Sequence, residues 1–423
     1  MNKFGGLLFL CFCTIQICFA QQKQFEYDNK VYAAQIKTVQ CYNTQKEQSI
    51  PVIPLKSSEQ LLFSFDDLNG GSQDYWYTVE HCTYDWKPSN ISVLDYLDGI
   101  NEDRIINYSY SSKTLQKFTH YELTLPNEQI KPKIAGNYLL KVYKNGDQKQ
   151  PVISQRFFVT SNTVNVQMEV IPSTDVALRF SNQKINFTIQ HQATIQNPYT
   201  DIKVILMQNG NAENAKLNIK PTYVKPGTLT YGELDANDFA GLNEYRKFDM
   251  RSFRYKGAHV QDIFADTTNN IVLFADLNGN APKYTRQIDD NGAFFIRNQD
   301  NIDNNTDSDY ANVQFTLNSA APGPNGDVYV VGRFNNHKLT DENKMIYDPS
   351  ARKYTTSIYL KQGVYDYQYV WKEKSADKTN TAILEGSFVE TENNYQAFVY
   401  FRKPGSRWDE LISYNMISNV QRN

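Results

Sequence analysis

The sequence has few cysteines and histidines and no long apolar run in its main part, and each shortage excludes a class of protein. Three of its five cysteines fall within the first twenty residues, which leaves only Cys41 and Cys82 in the rest of the chain. Two cysteines cannot form the dense disulfide framework of a small secreted domain. Five scattered histidines, without HxxH or CxxC spacing, argue against a zinc site. Beyond residue 20 no apolar run approaches the about 20 residues that a membrane-spanning helix needs.

The charge balance excludes another class of partner. Lysine and arginine number 43 against 46 aspartates and glutamates, so the chain carries no basic excess of the kind that binds nucleic acid. Aromatic residues make up 13% of the chain, which supplies material for half-buried β-sheets.

The first twenty residues, MNKFGGLLFLCFCTIQICFA, have the pattern of a secretory signal peptide. Lys3 precedes the apolar run Leu7 to Phe19, and Ala20 ends it. We therefore expect an exported protein without a membrane-spanning segment. In an oxidising compartment Cys41 and Cys82 could form one disulfide or remain two buried thiols, and the sequence leaves both alternatives open.

Short runs of alternating apolar and polar residues fill the remaining chain. Examples are YWYTVEHCTYDW, NYLLKVYKNG, NNIVLFADLNGN and TTSIYLKQGVYDYQYVW, separated by turns rich in Asn, Gly and Pro. Helical periodicity is confined to a turn around VLDYLDG. The pattern predicts an all-β protein made of serial immunoglobulin-like or early-set β-sandwich domains.

The alternation lapses at VTSNTVNV (Val159 to Val166) and at NSAAPGPNGD (Asn318 to Asp327). These lapses predict a signal peptide at residues 1–20 and β domains at 21–160, 161–320 and 321–423. The acidic run NQDNIDNNTDSD (Asn298 to Asp309) lacks the glycine and final glutamate of a calcium loop, so we expect a solvated loop there.

The stretch VEHCTYDW (Val79 to Trp86) raises the question of a catalytic or metal cluster. In an extended strand His81 and Cys82 point to opposite faces, so they cannot form a nucleophilic pair. We expect His81 and Asp85 to satisfy backbone groups of a turn or of a neighbouring strand. The sequence predicts no catalytic residue, no cofactor and no metal site.

Three separated segments resemble one family in the right order. The first is LLFSFDDLNGGSQDYWYTVEHCTYDWKPS with AGNYLLKVY, the second is NEYRKFDMRSFRYKG (Asn243 to Gly257), and the third is EGSFVETENNYQAFVYFRKPGSRWDELISY (Glu385 to Tyr414). Together they resemble the type 9 secretion system plug proteins of Bacteroidetes.

This resemblance implies a non-enzymatic protein of the periplasm, peripheral to the outer membrane and monomeric apart from its partner. It would bind the periplasmic opening of the large outer-membrane β-barrel translocon and occlude it when idle. Nine residues of the three segments are candidates for structural or interface roles: His81, Asp85, Trp86, Asn243, Arg246, Asp249, Arg402, Arg407 and Asp409. We expect Arg246 and Asp249 to pair across a turn.

A second resemblance supplies an alternative function. Asp327 to Trp371 is similar to early-set immunoglobulin-like domains found beside glycan-active enzymes, in which exposed tryptophans stack on sugars. His337 stands where such a tryptophan is expected after FNN, which weakens this interpretation. Tyr369 and Trp371 are the candidates for a stacking platform. An exported glycan-binding protein is therefore the alternative, whereas a hydrolase is disfavoured because G-x-S-x-G is missing.

Overall fold

The computed structural model describes residues 24–233, 235–375 and 378–419, so the expected signal peptide lies outside the described residues. Within these ranges strands dominate and each α-helix is a single turn, which confirms the all-β prediction. None of the helices in these ranges is long and apolar enough to cross a membrane.

The first unit is a sandwich built from the chain between residues 30 and 160. Its elements are β1 (Lys30–Val31), β2 (Ile36–Asn43), β3 (Val52–Pro54), β4 (Leu61–Asp67), β5 (Tyr75–Cys82), α1 (Val93–Tyr96), β6 (Leu97–Gly99), β7 (Glu102–Arg104), β8 (Asn107–Tyr110), β9 (Thr119–Leu125), β10 (Ile130–Pro132), β11 (Gly136–Lys144) and β12 (Pro151–Thr160). One sheet has the order β1-β12-β11-β5-β7, with β3 parallel to β12, and the other has the order β2-β4-β9-β8. Buried side chains such as Phe63, Tyr77 and Leu140 fill the space between them.

A second unit begins directly after the first. Its first elements are β13 (Asn165–Pro172), β14 (Asn182–Gln190), α2 (Pro198–Asp201), β15 (Ile202–Gln208), β16 (Asn211–Leu217), β17 (Tyr223–Lys225), β18 (Thr228–Tyr231) and β19 (Asp238–Ala240). One sheet has the order β13-β14-β18-β17, with β19 on β14. The second sheet still lacks two of its strands at this point of the chain.

The third unit follows as an insertion. Its elements are β20 (Arg246–Asp249), β21 (Val260–Ala265), β22 (Asn269–Leu273), β23 (Asp276–Leu277), β24 (Phe294–Ile296), β25 (Tyr310–Asn318), β26 (Gly326–Val331), a 3-10 turn (Arg333–Asn335), β27 (Ile346–Asp348), β28 (Lys353–Lys361), β29 (Gly363–Glu373), β30 (Thr379–Asn380) and α3 (Ala382–Glu385). Strand β29 joins β20, β24, β26 and β30, and packs against the sheet β21-β22-β25-β28-β27. On β25 the alternate residues Val313, Phe315 and Leu317 are buried while Gln314 is exposed, as period-two alternation predicts.

The last two strands, β31 (Asn394–Phe401) and β32 (Glu410–Ser418), return to the second unit. They complete the sheet β16-β15-β31-β32, in which Val204 pairs with Val399. The expected boundary at residue 320 therefore does not separate two units. Sequence alternation cannot reveal this arrangement, because the pattern of a strand does not show which distant strand it pairs with.

The first and second units also share a small apolar cluster of their own. Phe158 of the first unit lies with its ring centroid 4.6 Å from that of Phe398 in the second unit. Val52, Met207 and Tyr400 belong to the same buried cluster. The two sandwiches are thus packed against each other and not only linked by the chain.

Candidate functional site

Asp85 closes a tight turn after β5. Its carboxylate accepts a hydrogen bond from the Thr83 hydroxyl at 2.6 Å and pairs with the Lys87 ammonium at 2.6 Å. The Thr83 amide donates to the Lys87 carbonyl at 2.8 Å, and Trp86 takes a left-handed φ of 61° at the top of the turn. Asp85 therefore bonds to side chains of its own turn, where backbone partners had been expected.

His81 is a buried structural residue. Its Nδ1 lies 2.6 Å from the Ser89 hydroxyl, and its ring meets Tyr138 edge to face at 5.0 Å. Burial lowers the pKa of His81 to about 4, so the imidazole is neutral at pH 7. A neutral, enclosed imidazole cannot provide charge to a partner, so its role is in packing.

Cys41 and Cys82 are free thiols in this structure. Cys41 lies on β2 and Cys82 on β5, which belong to opposite sheets of the first sandwich. Burial raises the pKa of each thiol to about 12. Of the two alternatives left open by the sequence, the structure contains the pair of thiols and not the disulfide.

The first and third family segments meet where the first and second units join. Arg402 holds Asp409 with two parallel bonds, Nε to Oδ1 at 2.9 Å and Nη2 to Oδ2 at 2.8 Å. Asp409 also accepts the Tyr84 amide at 3.2 Å. The Asp409 side chain is 2% exposed, so this bidentate pair fixes the Asp85 turn to the second unit. Arg407 pairs with Asp95 at 3.2 Å, with both side chains largely exposed, and such pairs contribute little.

The second family segment meets the start of the third segment inside the inserted unit. Arg246 donates from Nη2 to Glu385 at 2.8 Å and from Nη1 to Asp276 at 3.0 Å. Asn243 donates to the Glu385 carbonyl at 3.1 Å. The expected Arg246–Asp249 pair is wrong, because residues three apart on one strand point to opposite faces. Asp249 pairs with Arg251 instead.

The joint between the first and third units contains a buried charge network that sequence reasoning missed, here called the Asp66 clamp (Asp66, His120, Tyr310 and Lys361). Asp66 Oδ2 accepts from Lys361 Nζ at 2.6 Å and from the Tyr310 hydroxyl at 2.6 Å. Asp66 Oδ1 lies 2.6 Å from His120 Nδ1. The Asp66 and Lys361 side chains are 0% and 1% exposed. Burial alone would raise the pKa of Asp66, but Lys361 and His120 hold it below its usual value, so the carboxylate stays charged.

The acidic loop at 298–309 also belongs to this joint. Asp309 accepts the Leu115 amide at 2.6 Å and the Gln116 amide at 3.1 Å, both from the first unit. Asp307 and Asp309 are buried, so the expectation of a solvated loop is wrong for this end of the run. In the part of the chain that the structure describes, no cluster of acidic, histidine or cysteine side chains could hold a metal ion.

The candidate sugar platform is not exposed. Tyr369 is fully buried and donates its hydroxyl hydrogen to Asp276 at 2.7 Å. Trp371 is half-buried against Gly326, where an added Cβ would lie 2.2 Å from the indole nitrogen. His337 is also buried. These aromatic residues pack within the third unit, so the glycan-binding alternative loses the surface on which it depended.

Comparisons with known proteins agree with this geometry. A family model described as "Type 9 secretion system plug protein 1st domain" matches residues 36–161, which span most of the first sandwich. A crystal structure of a hypothetical protein from Parabacteroides merdae is 33% identical, with a TM-score of 0.89, and the alignment covers 94% of this chain and 100% of that one. No curated protein matches the chain. Because the family model matches its first sandwich over residues 36–161, the chain belongs to the type 9 secretion system plug family.

Proposed function

We propose that this protein is a periplasmic plug that binds the periplasmic opening of the outer-membrane type 9 translocon and occludes it when idle. Family membership supports a role in type 9 secretion, association with the secretion machinery and a periplasmic location. The occluding role is the further step, and the buried joints between the sandwiches support it.

A cover over a wide pore must resist deformation. A translocon that passes folded cargo would leak solutes when idle, so its cover has to span a wide opening as one body. Domains joined by small polar interfaces usually move relative to one another. Here the first unit is fixed to the third by the Asp66 clamp and to the second by Asp409 and an apolar cluster. Such joints favour a single rigid block over a string of mobile sandwiches.

Occlusion by a plug is a binding equilibrium, so it requires no bond-making residue. The family residues fit this mechanism: Arg246, Arg402 and Asp409 hold elements together through paired charges, and none of them stands alone in an open cleft. Their contribution to function would be the fixed shape of the block.

Deletion of the gene should open idle pores and make the cells more permeable to large antibiotics. The defect should vanish when the translocon gene is deleted as well, because the leak passes through that pore. The measurement is best made where translocon copies exceed cargo. An unchanged permeability there, together with failure of any translocon to copurify with the tagged protein, would refute the proposal.

A joint variant tests whether rigidity matters. Lys361→Met, which removes the cation of the Asp66 clamp, should restore the permeability barrier less completely than the wild-type gene at equal protein level. Lys256→Met is the matched control, because Lys256 pairs with Asp262 at 3.0 Å on the surface with both side chains more than half exposed. Equal complementation by both variants would show that the clamp is unrelated to occlusion.

A further inference from the structure

The three sandwiches surround a cavity of about 310 Å³. Trp86 and Phe158 line it from the first unit, Met207 and Phe398 from the second, and Phe294 from the third. The rings of Trp86 and Phe158 meet edge to face at 5.3 Å, which gives this wall a continuous aromatic surface. At roughly 30 Å³ for each water-sized group, the cavity has room for about ten non-hydrogen atoms.

Four side chains that line the cavity each contain one buried nitrogen atom without a hydrogen-bond partner. These atoms are Gln40 Nε2, Gln48 Nε2, Arg333 Nε and His337 Nε2. Gln40 is 9% exposed and His337 is 6% exposed, so bulk water does not readily satisfy these two side chains. An unpaired buried donor costs about 1–3 kcal/mol, and native proteins contain few. Four such side chains around one cavity favour an occupant that accepts hydrogen bonds.

The lining also carries a positive charge, which suits an anion as the hydrogen-bond donors do. Arg333 donates to the carbonyls of Gln48 and, at 3.1 Å, of Asn209, but among the described residues no carboxylate pairs with it. The other charged side chains of the lining are already paired, Arg156 with Asp28 at 3.0 Å and Asp85 with Lys87 at 2.6 Å. One positive charge is thus left for a ligand.

His337 can also contribute a hydrogen-bond donor to the lining. Burial and the nearby Arg333 lower the pKa of His337 to about 3, so its ring is neutral at pH 7. A neutral imidazole can carry its hydrogen on Nε2 and donate it. The cavity therefore presents donors and one cation among apolar walls.

We propose that this cavity binds a small organic acid, a carboxylate on an apolar body of about ten non-hydrogen atoms. The carboxylate would be held by Arg333 together with Gln40, Gln48 and His337. The apolar body would lie against Trp86 and the phenylalanine side chains. This site is independent of the plug proposal, since it concerns a ligand held inside the protein.

Octanoate and 3-phenylpropanoate are suitable probes, measured with the full-length mature protein by thermal unfolding and by titration calorimetry. Both should raise the Tm by several degrees at saturation. Octanamide keeps the apolar body but not the charge, and it should bind at least about tenfold more weakly. The proposal is wrong if neither acid binds, if octanamide binds equally well, or if inorganic phosphate stabilises the protein as much as octanoate.

Gln40→Leu gives a second, sharper test. Because it removes an unpaired donor, it should raise the Tm without ligand and weaken octanoate binding by about tenfold. Gln183→Leu is the matched control: Gln183 is buried away from the cavity lining, and its amide nitrogen donates to two carbonyls at 2.7 and 2.8 Å. Gln183→Leu should therefore lower the Tm. If Gln40→Leu lowered the Tm and Gln183→Leu raised it, the inference would be wrong.

Ala215→Phe provides a variant that leaves every donor in place. Ala215 lies on the cavity wall at β16, so a phenyl ring there should fill the space and abolish the octanoate-induced shift. Undiminished octanoate binding by this variant would show that the acid binds elsewhere, and the assignment of the cavity would then be wrong.

Discussion

Removal of the cation from the Asp66 clamp should destabilise the protein strongly. Lys361→Met keeps most of the length and the apolar character of the stem but leaves the Asp66 carboxylate without its ammonium partner. Lys361 also donates to the Asn305 carbonyl at 2.6 Å and lies 4.1 Å from the centre of the Phe118 ring. The substitution thus removes the charge at the centre of the joint and retains much of the packing.

The magnitude follows from burial. Breaking a buried pair by removing one partner costs about 3–5 kcal/mol, because an uncompensated charge remains. Tyr310 and His120 still bond to Asp66 in the variant, so a loss near 3 kcal/mol is expected. In the double variant Asp66→Asn with Lys361→Met no buried charge is left uncompensated at Asp66. Its stability should therefore exceed the value obtained by adding the two single losses.

Denaturation in urea, followed by tyrosine and tryptophan fluorescence and by circular dichroism, measures these differences. Free energies are compared only if the two transitions coincide, since a protein of several units can unfold in steps. Lys256→Met, at an exposed pair, should leave the midpoint unchanged. A loss below about 1 kcal/mol for Lys361→Met, or strict additivity in the double variant, would refute the view that this charge pair holds the joint.

His120 gives the clamp a dependence on pH with a defined sign. Burial opposes protonation, but bonds to Asp66 and Glu122 raise the pKa of His120 above its ordinary value. Stabilisation by the protonated ring is complete below about pH 6.5 and is lost as the pH rises through the folded-state pKa. In Lys361→Met the protonated ring is the remaining cation near Asp66, so the deficit of this variant should be larger at pH 9 than at pH 6.

The class of fold and the family could be predicted from the sequence because they depend on local patterns. Alternation along β4 and β5 marks strands, and the turn residues between them mark their ends. The same alternation places Asp66 on the outer face of the first sandwich, opposite Phe65. A polar residue on an outer face is ordinarily solvated. Only the docking of the third unit buries it, and no local pattern reports that contact.

For a related reason the sequence could not predict which distant strands pair with each other. The run from Tyr395 to Phe401 is a strand buried on both faces, and nothing in it specifies Ile202 to Gln208 as its neighbour. The role of Arg246 was assigned to the wrong partner because nearness in sequence was taken for nearness in space. Its partner Glu385 lies 139 residues away.

Three further predictions follow from individual sites. Burial and the nearby Asp289 raise the pKa of Asp366 to about 8, so between about pH 4 and pH 8 the folded state binds a proton that the unfolded state has lost. The free energy of unfolding should therefore fall from pH 4 to pH 8. In urea denaturation Asp366→Asn should flatten that fall and add about 1–3 kcal/mol at pH 8. Cys41 and Cys82 should both react with a thiol reagent after unfolding without reductant, and a mass corresponding to one disulfide would contradict the structure. The third prediction is that residues 243–386 can be excised and replaced by a short glycine linker. The ends of the insertion are adjacent, since the amide of residue 388 donates to the carbonyl of residue 242 at 2.9 Å. The core clusters of the first and second units lie wholly outside the excised segment, and that of the third unit lies wholly inside it. Because burial of apolar surface provides most of the stability of a unit, the shortened chain should keep a β-type circular dichroism spectrum and a cooperative thermal transition. A shortened chain that stays unfolded would show that the first two sandwiches depend on the third for their own folding, and the insertion would then be an integral part of a single core.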